Sequence, residues 1–322
     1  MSPFFTLLGC MGGATTVIGP ALPTDTGQPT DTGLSADTGS AGDTDTDTDT
    51  DTDTDTDDTV PSEATDYRAA GPHGVTGWTD SHTVNGCQMS VSFFQPADDA
   101  SAPLVVLAHG FARGPAQMEG WAAAFAAWGV TVAVPALCHS SFTDADHEAN
   151  GRDLVSLVSV LGMGDAVYMG HSAGGLAALV AASGDPSAVA VIGLDMTDAD
   201  GIGAAAAAGV RVPVYGLVGE PSACNSDNNG MASYASIATA TALRVTDSDH
   251  CDFENETDWM CSWFCPAGGG SFSDAEIERT VGALSIAALM EALGLEAQPG
   301  AWWAAGGEYY EELLASGAIA PL

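Results

Sequence analysis

The chain has 322 residues, of which 43 are Asp or Glu and only six are basic, and its net charge is −37. All six basic residues are arginines, and the chain contains no lysine. Such a chain lacks the cations needed to neutralise a run of phosphates, so the charge balance argues against nucleic-acid binding, anionic substrates and anionic lipid surfaces.

Residues 1–19 are predicted to be an export signal. Residues 4–22 carry no charge, but contain too much Thr, Gly and Pro for a membrane span. Within them, Leu7-Leu8-Gly9-Cys10 resembles a bacterial lipobox, whose Cys becomes lipidated, although no basic residue precedes it. The expected location is the bacterial cell envelope (outer membrane or cell surface), with a lipid anchor on Cys10. A secreted protein with a different cleaved signal and a cytosolic protein are the alternatives.

Residues 20–66 are predicted to be a disordered acidic tether. They consist mainly of Thr, Asp, Gly, Pro and Ser, with an Asp-Thr repeat from Asp43 to Thr56. This composition has too little apolar surface to offset the entropy cost of folding. A calcium-binding interpretation is weak because the repeat lacks the turn Gly and the closing Glu of a calcium loop.

Residues 67–297 are predicted to form one α/β domain with a mostly parallel central sheet and helices on both faces. Apolar patterning predicts strands at 87–94 (an edge strand), 103–108, 130–135, 166–169, 188–194, 211–218 and 242–245. Helices are predicted at 115–127, 147–161, 173–182 and 274–293. A ligand site is expected beyond the carboxyl ends of the strands. The aromatic tail, residues 298–322, is expected to pack back on this domain.

Apart from Cys10 the chain has an even number of cysteines, which predicts up to three disulfides in an exported protein. The six are Cys87, Cys138, Cys224, Cys251, Cys261 and Cys265. The pairing is undetermined, but four of them lie between 224 and 265, so bridges are expected to brace loops around the site. A zinc site of His250, Cys251, Cys261 and Cys265 is the alternative, weakened by the oxidising compartment and the Cys-x₃-Cys spacing.

The motif Gly170-His171-Ser172-Ala173-Gly174-Gly175 matches G-x-S-x-G between a predicted strand and a predicted helix. This context predicts a tight turn that presents Ser172 as a nucleophile. A serine hydroxyl needs a base to remove its proton, and His250 is the only histidine after Ser172.

The acid that orients the histidine is predicted to be Asp195, which follows the strand at 188–194. Glu220, after the next strand, and Asp198 or Asp200 are the alternatives. His109-Gly110-Phe111-Ala112 follows the strand at 103–108. The backbone N–H groups of Phe111 (or Ala112) and of Ala173 are the candidate oxyanion hole.

These segments together resemble the α/β-hydrolase superfamily, and more closely its branch of chlorophyllases and bacterial cutinase-like polyester hydrolases. The matching pieces are His109-Gly110-Phe111, Gly170–Gly175, Gly193-Leu194-Asp195, Val212-Pro213 and His250–Glu254. The resemblance spans residues 80–265 and implies the α/β-hydrolase fold. Cutinase-like relatives carry their acid after the strand that here ends at Glu220, whereas Asp195 matches the chlorophyllase-like placement.

The predicted function is that of an exported serine hydrolase that cleaves carboxylic esters, small or polymeric, without cofactor or metal. Phe111, Trp121, Phe142 and Trp259 are candidate aromatic residues of its pocket, with packing in the core as the alternative. An amidase, peptidase or acyltransferase on the same fold and an inactive surface-binding module are the alternatives. A further alternative is a metal-dependent hydrolase, whose ligands would be Cys138, His139, Asp144, Asp146 and His147.

Overall fold

The computed structural model describes residues 16–18, 63–265 and 270–322, without the side chains of 16–18 and of Ser262. The predictions for Cys10 and for the Asp-Thr repeat therefore lie outside the described residues. Within them, the chain is built around a ten-stranded sheet.

The strands are β1 (Thr16–Ile18), β2 (Val75–Val84), β3 (Cys87–Pro96), β4 (Leu104–Ala108), β5 (Thr131–Pro135), β6 (Ser140–Ser141), β7 (Asp144–Ala145), β8 (Ala166–His171), β9 (Ala188–Leu194), β10 (Val214–Val218), β11 (Ala240–Val245) and β12 (Ile319–Pro321). The helices are α1 (Glu119–Ala126), α2 (His147–Leu161), α3 (Ala173–Gly184), α4 (Ile202–Ala207), α5 (Met231–Tyr234), α6 (Trp259–Phe264), α7 (Asp274–Ala292) and α8 (Glu308–Ser316). Short 3₁₀ segments lie at Pro115–Gln117, Ser226–Asn228 and His250–Phe253.

The large sheet has the order β1-β2-β3-β5-β4-β8-β9-β10-β11-β12, and β6 and β7 form a separate small hairpin. Neighbouring strands from β5 to β11 run parallel, whereas the pairs β1–β2, β2–β3, β3–β5 and β11–β12 are antiparallel. The predicted α/β class with a mostly parallel sheet is therefore confirmed.

Strand β4 shows why the sheet is covered on both faces. All five of its residues are buried, and successive side chains point to opposite faces of a strand. Val105 and Leu107 join the core that contains residues of α1, α7 and α8. Val106 and Ala108 join the core that contains residues of α2, α3 and α4. No helix among the described residues is long and apolar enough to cross a bilayer.

The prediction of an edge strand at 87–94 is wrong, because β3 pairs with β2 on one side and β5 on the other. Strand β2 was not predicted from the sequence. A two-residue turn at Asn85 and Gly86 joins β2 to β3, and both residues have positive φ, 49° and 88°. Asn-Gly is a strong signal for this kind of hairpin turn. Because β2 is polar and largely exposed, it contains no continuous apolar run that would predict a strand.

The C-terminal tail contributes α8 and the strand β12, which pairs antiparallel with β11. Trp302 is buried, its indole N–H donates to the carbonyl oxygen of Thr65 at 3.0 Å, and its ring stacks on Tyr309 at 4.2 Å. The tail therefore covers part of the domain surface and adds a strand to the sheet beside β11.

Three disulfides confirm the prediction from the cysteine count: Cys87–Cys138, Cys224–Cys265 and Cys251–Cys261. The last two cross-link the segment between residues 224 and 265, which contains His250. A closed loop restricts the unfolded chain more than the folded one, so each bridge stabilises the fold by about 2–4 kcal/mol.

Candidate active site

The candidate residues converge because they follow the carboxyl ends of adjacent parallel strands. In the sheet register, Ala108 of β4 pairs with Gly170 of β8, and Gly170 pairs with Gly193 of β9. The residues after these strands, including Ser172 and Asp195, therefore leave the sheet at the same edge. His250 reaches this edge from the loop after β11.

Ser172 lies on a sharp turn between β8 and α3, with φ 55° and ψ −124°. The turn is tight because its glycines allow close contact. A Cβ on Gly170 would lie 2.4 Å from the carbonyl carbon of Gly174, and a Cβ on Gly174 would lie 2.4 Å from the carbonyl oxygen of Ala108. No other residue type fits at these two positions without backbone movement. The predicted strand–turn–helix context of the motif is therefore present.

Ser172, His250 and Asp195 form a continuous chain of hydrogen bonds. His250 Nε2 lies 3.0 Å from Ser172 Oγ, and His250 Nδ1 lies 2.6 Å from Asp195 Oδ2. An ionised carboxylate only accepts hydrogen bonds, so Nδ1 carries the proton and Nε2 accepts from the serine hydroxyl. All three residues are buried. This arrangement suits proton transfer from Ser172 to His250.

Two further donors hold the Asp195 carboxylate in place. The backbone N–H of Gly219 donates to Oδ1 at 2.9 Å, and the Asn225 side-chain amide donates to Oδ2 at 3.1 Å. Asn225 is fully buried, and its own Oδ1 accepts from the Ser222 N–H at 2.8 Å. Asn225 was not predicted from the sequence, because it lies 30 residues from Asp195 and in no motif.

The other acids considered have different partners. Glu220 is partly exposed; its carboxylate accepts from the Asp247 N–H at 3.3 Å and lies 3.8 Å from Arg244 Nη1. Asp198 accepts from the N–H groups of Gly203 and Ala204 at the start of α4. Asp200 is an exposed turn residue with φ 52°. Among these acids, Asp195 is the one in contact with His250.

The backbone around Phe111 and Ala173 presents two N–H groups near Ser172. The N–H of Ala112 already donates to the Ser140 carbonyl at 3.0 Å, whereas that of Phe111 has no acceptor within the described part of the chain. Ala173 is the first residue of α3, and the first N–H groups of a helix have no acceptor inside it. Of the two residues proposed for the loop after β4, Phe111 is therefore the one with an available N–H.

Two buried histidines beside the site form hydrogen bonds with backbone groups. The His171 Nε2–H donates to the His250 carbonyl oxygen at 3.0 Å. His109 Nε2 accepts from the Leu137 N–H at 3.1 Å, and its Nδ1–H donates to the Gly110 carbonyl. Burial lowers the pKa of His171 well below its ordinary value and that of His109 to about 4. Both imidazoles are therefore neutral at physiological pH.

An ion pair connects the loop after β4 to the loop that carries His250. Arg113 Nε and Nη2 donate to the two carboxylate oxygens of Glu254, both at 2.6 Å. Arg113 also lies 3.1 Å from Asp258. A bidentate pair of this kind fixes the relative orientation of its two segments. No role for Arg113 or Glu254 was predicted from the sequence.

A cleft of about 250 Å³ opens at Ser172 and His250. Phe111 and Phe142 line it, as predicted, together with side chains of α6. For Trp121 the structure favours the alternative, packing in the core. It is a core residue whose indole N–H donates to the Phe253 carbonyl at 3.1 Å. Trp259 is exposed and lies outside the set of residues that line the cleft.

The cysteines considered as metal ligands are all bonded in disulfides. Cys251, Cys261 and Cys265 lie close together, but each is bonded in a disulfide, so none offers a thiolate. Cys138 is likewise bonded to Cys87. In the second proposed ligand set, His139 Nδ1 lies 3.0 Å from Asp144, and Asp146 accepts from the Ala149 N–H at the start of α2.

Neither the scan against protein-family models nor the search of curated proteins finds a match to this chain.

Proposed function

We propose that the protein is a serine hydrolase with the α/β-hydrolase fold and that it cleaves carboxylic esters. The observation that carries the proposal is the hydrogen-bond chain from Asp195 through His250 to Ser172 at a strand–turn–helix corner. The chain order Ser, Asp, His and the position of all three at strand ends are those of this fold. The mostly parallel sheet between two helical layers supports the same assignment.

In the proposed mechanism, the Ser172 oxygen attacks the ester carbonyl while its proton passes to His250 Nε2. Asp195 keeps the imidazole oriented and stabilises its cationic form. The oxyanion that develops accepts from the N–H groups of Phe111 and Ala173, and the N-terminal end of α3 adds a favourable dipole. His250 then protonates the departing alcohol, and a water molecule, activated in the same way, releases the acid and regenerates Ser172.

The cleft supports an uncharged ester. Its lining includes the apolar side chains of Phe111, Phe142, Met260 and Phe264. Arg113 also lines the cleft, but its guanidinium group already donates to the Glu254 carboxylate. An amidase, peptidase or acyltransferase would use the same first steps. Product analysis on an ester and an amide with the same acyl group, with and without an added acyl acceptor, separates these activities. We expect hydrolysis of the ester, no release from the amide above that of Ser172→Ala, and no transfer to the acceptor.

We also propose that the protein acts outside the cytosol, as an exported protein with a lipid on Cys10. Three disulfides support export, because such bridges persist in oxidising compartments. Replacing Cys10 by Ser should release the protein from the membrane fraction. Unchanged fractionation of this variant would contradict the lipid anchor.

The test of the proposed function is labelling of the full, oxidised chain with a fluorophosphonate, followed by peptide mapping. The reagent reacts with activated serines, so we expect an adduct on Ser172 that is lost in His250→Ala. The matched control, Ser226→Ala, changes an exposed serine and should label like the wild type. If the folded protein takes up no label, the nucleophile is not activated and the inactive binding module becomes the better interpretation.

A further inference from the structure

Four aromatic side chains on this protein are unusually exposed. The exposed fractions are 87% for Phe142, 72% for Trp259, 73% for Trp263 and 71% for Phe264. Most large apolar side chains of the described residues lie in the two cores. Single exposed apolar residues are common on soluble proteins, whereas a cluster of large ones marks an interaction surface.

Two of these side chains line the cleft at Ser172, and the other two lie beside Phe264 on α6. Phe142 and Phe264 line the cleft itself. On α6 the rings of Trp259 and Trp263 lie 6.2 Å apart, and those of Trp263 and Phe264 lie 5.6 Å apart. Phe142 comes from the β6–β7 hairpin and packs against Phe111 at 5.2 Å. We call Phe142, Trp259, Met260, Trp263 and Phe264 the aromatic rim.

The α6 part of the aromatic rim is fixed to the site by covalent bonds. Within the helix, Cys261 is joined to Cys251, the residue after His250. Directly after the helix, Cys265 is joined to Cys224. At the start of α6, Asp258 accepts from the N–H groups of Met260 and Cys261 and pairs with Arg113. The exposed rings are therefore held beside the cleft without first needing to be ordered by a ligand.

Charge restricts what can cover the aromatic rim. The chain has a net charge of −37 and no lysine, so an anionic surface is repelled. The arginine at the cleft, Arg113, is engaged by Glu254 and Asp258. The rim residues themselves carry no charge. The partner that fits this combination is apolar and uncharged.

We propose that the aromatic rim docks on the surface of an uncharged, water-insoluble ester phase, from which ester groups enter the cleft. This inference rests on the proposed esterase function and names the physical form of its substrate. Burial of the two exposed indoles in that phase provides the attachment, because moving apolar and aromatic side chains out of water lowers the free energy. The cleft mouth then faces the substrate phase.

The test compares one ester in solution with another in droplets. The rim variant is Trp259→Ser with Trp263→Ser, since neither side chain lines the cleft. The matched control is Trp78→Ser, which removes a tryptophan that is 38% exposed and also lies outside the cleft lining. The substrates are p-nitrophenyl acetate below its solubility limit and emulsified tributyrin, a neutral triester.

We expect the rim variant to lose about tenfold or more of its tributyrin rate, because it loses most of its apolar attachment. Its rate on dissolved p-nitrophenyl acetate should stay within about twofold of the wild type. The control should behave like the wild type on both substrates. Equal losses on both substrates, or no loss on tributyrin, would overturn docking by the rim.

Attachment is measured separately by flotation with tributyrin droplets, which needs no turnover, of a Ser172→Ala variant that also carries Cys10→Ser, so that no lipid contributes to binding. We expect this protein to float with the droplets and to remain unbound to phosphatidylglycerol vesicles. Failure to float, or equal binding to the anionic vesicles, would refute the docking proposal while leaving esterase activity intact. If the wild type hydrolyses neither substrate, the esterase proposal fails, and the substrate assigned to the rim fails with it.

Discussion

Three residues of the candidate site have backbone conformations that non-glycine residues rarely adopt. The φ angles are 55° at Ala112, 55° at Ser172 and 43° at Asp195. Each such residue costs on the order of 1–3 kcal/mol, so the surrounding structure must hold it in place. At Ser172 the close packing of Gly170, Gly174 and the end of β4 does so. The strain is local to the turns that follow β4, β8 and β9.

The role of Asp195 can be tested against that of Glu220. Asp195→Asn should lower kcat by roughly three to four orders of magnitude, because an amide no longer holds His250 in the reactive tautomer. Glu220→Gln should change kcat by less than about twofold, since Glu220 has other partners. Both constants are measured on a soluble ester. The reverse pattern would mean that Glu220 is the orienting acid.

Asp252, two residues after His250, makes stability depend on pH. Burial, with nearby Asp249 and Asp274, raises the pKa of Asp252 from 3.8 to about 6. The folded state then holds this proton more tightly than the unfolded state. The bound proton therefore stabilises the folded state fully below about pH 4, and this stabilisation is lost as the pH rises through about 6.

Replacing this carboxyl removes the penalty at neutral pH. Asp252→Asn should raise the free energy of unfolding at pH 7.5 by roughly 1–2 kcal/mol, less than the full shift implies because the group is partly exposed. The gain should vanish near pH 4. Urea unfolding at several pH values measures it, and Asp200→Asn, which alters an exposed turn residue, serves as the control. A gain that is equal at both pH values would contradict the assignment to Asp252.

At the scale of elements, the site depends on cross-links between loops rather than on regular structure. The segment from Cys224 to Cys265 includes β11, the 3₁₀ segment with His250 and helix α6. Two disulfides and the Arg113–Glu254 pair attach this segment to itself and to the loop after β4. Loops held in this way can present side chains accurately without being part of the sheet.

Removing the Cys224–Cys265 bridge should therefore reduce activity as well as stability. The double variant Cys224→Ser with Cys265→Ser should lose about 2–4 kcal/mol of unfolding free energy and at least about fivefold in kcat. The comparison is Cys87→Ser with Cys138→Ser, whose bridge spans a similar separation, 51 residues against 41, but does not line the cleft. This control should lose stability but keep its kcat. Equal kcat losses in both double variants would argue against a specific role for the bridge beside the cleft.

At the scale of the whole molecule, charge dominates. A net charge of −37 with no lysine leaves the carboxylates repelling one another in the folded state. Salt screens the repulsion between exposed charges, and the distance over which this repulsion acts falls to about 8 Å at 0.15 M ionic strength. The stability of this protein is therefore coupled to the ionic strength of its surroundings.

The midpoint of thermal unfolding should rise with salt. Between 0.02 and 0.5 M NaCl we expect an increase of roughly 3–6 °C at pH 7.5, measured by calorimetry on the oxidised chain. The increase should shrink at pH 4, because many carboxylates are then protonated and the repulsion that salt screens is smaller. A midpoint that falls with added salt, or an increase independent of pH, would show that self-repulsion is not the cause.

Much of the central sheet could be predicted because its strands are short, continuous apolar runs. Helix α2 and strand β9 have the predicted bounds, and the turn at Ser172 is encoded by adjacent residues. Strand β2 and the tail elements α8 and β12 were missed. Each of these elements is stabilised by a partner strand or a core surface that is distant in sequence, so its local sequence pattern does not predict it.

The sequence by itself determined the α/β class, the upper limit of three disulfides and the sharp turn at Ser172, because each depends on composition or on neighbouring residues. Tertiary structure alone decided which acid contacts His250, since Asp195 and Glu220 both follow strands of the same sheet. It also decided the pairing of the cysteines, the support from Asn225 and the clustering of exposed rings around the cleft. These features depend on distances between segments far apart in the chain, and local sequence patterns do not encode such distances.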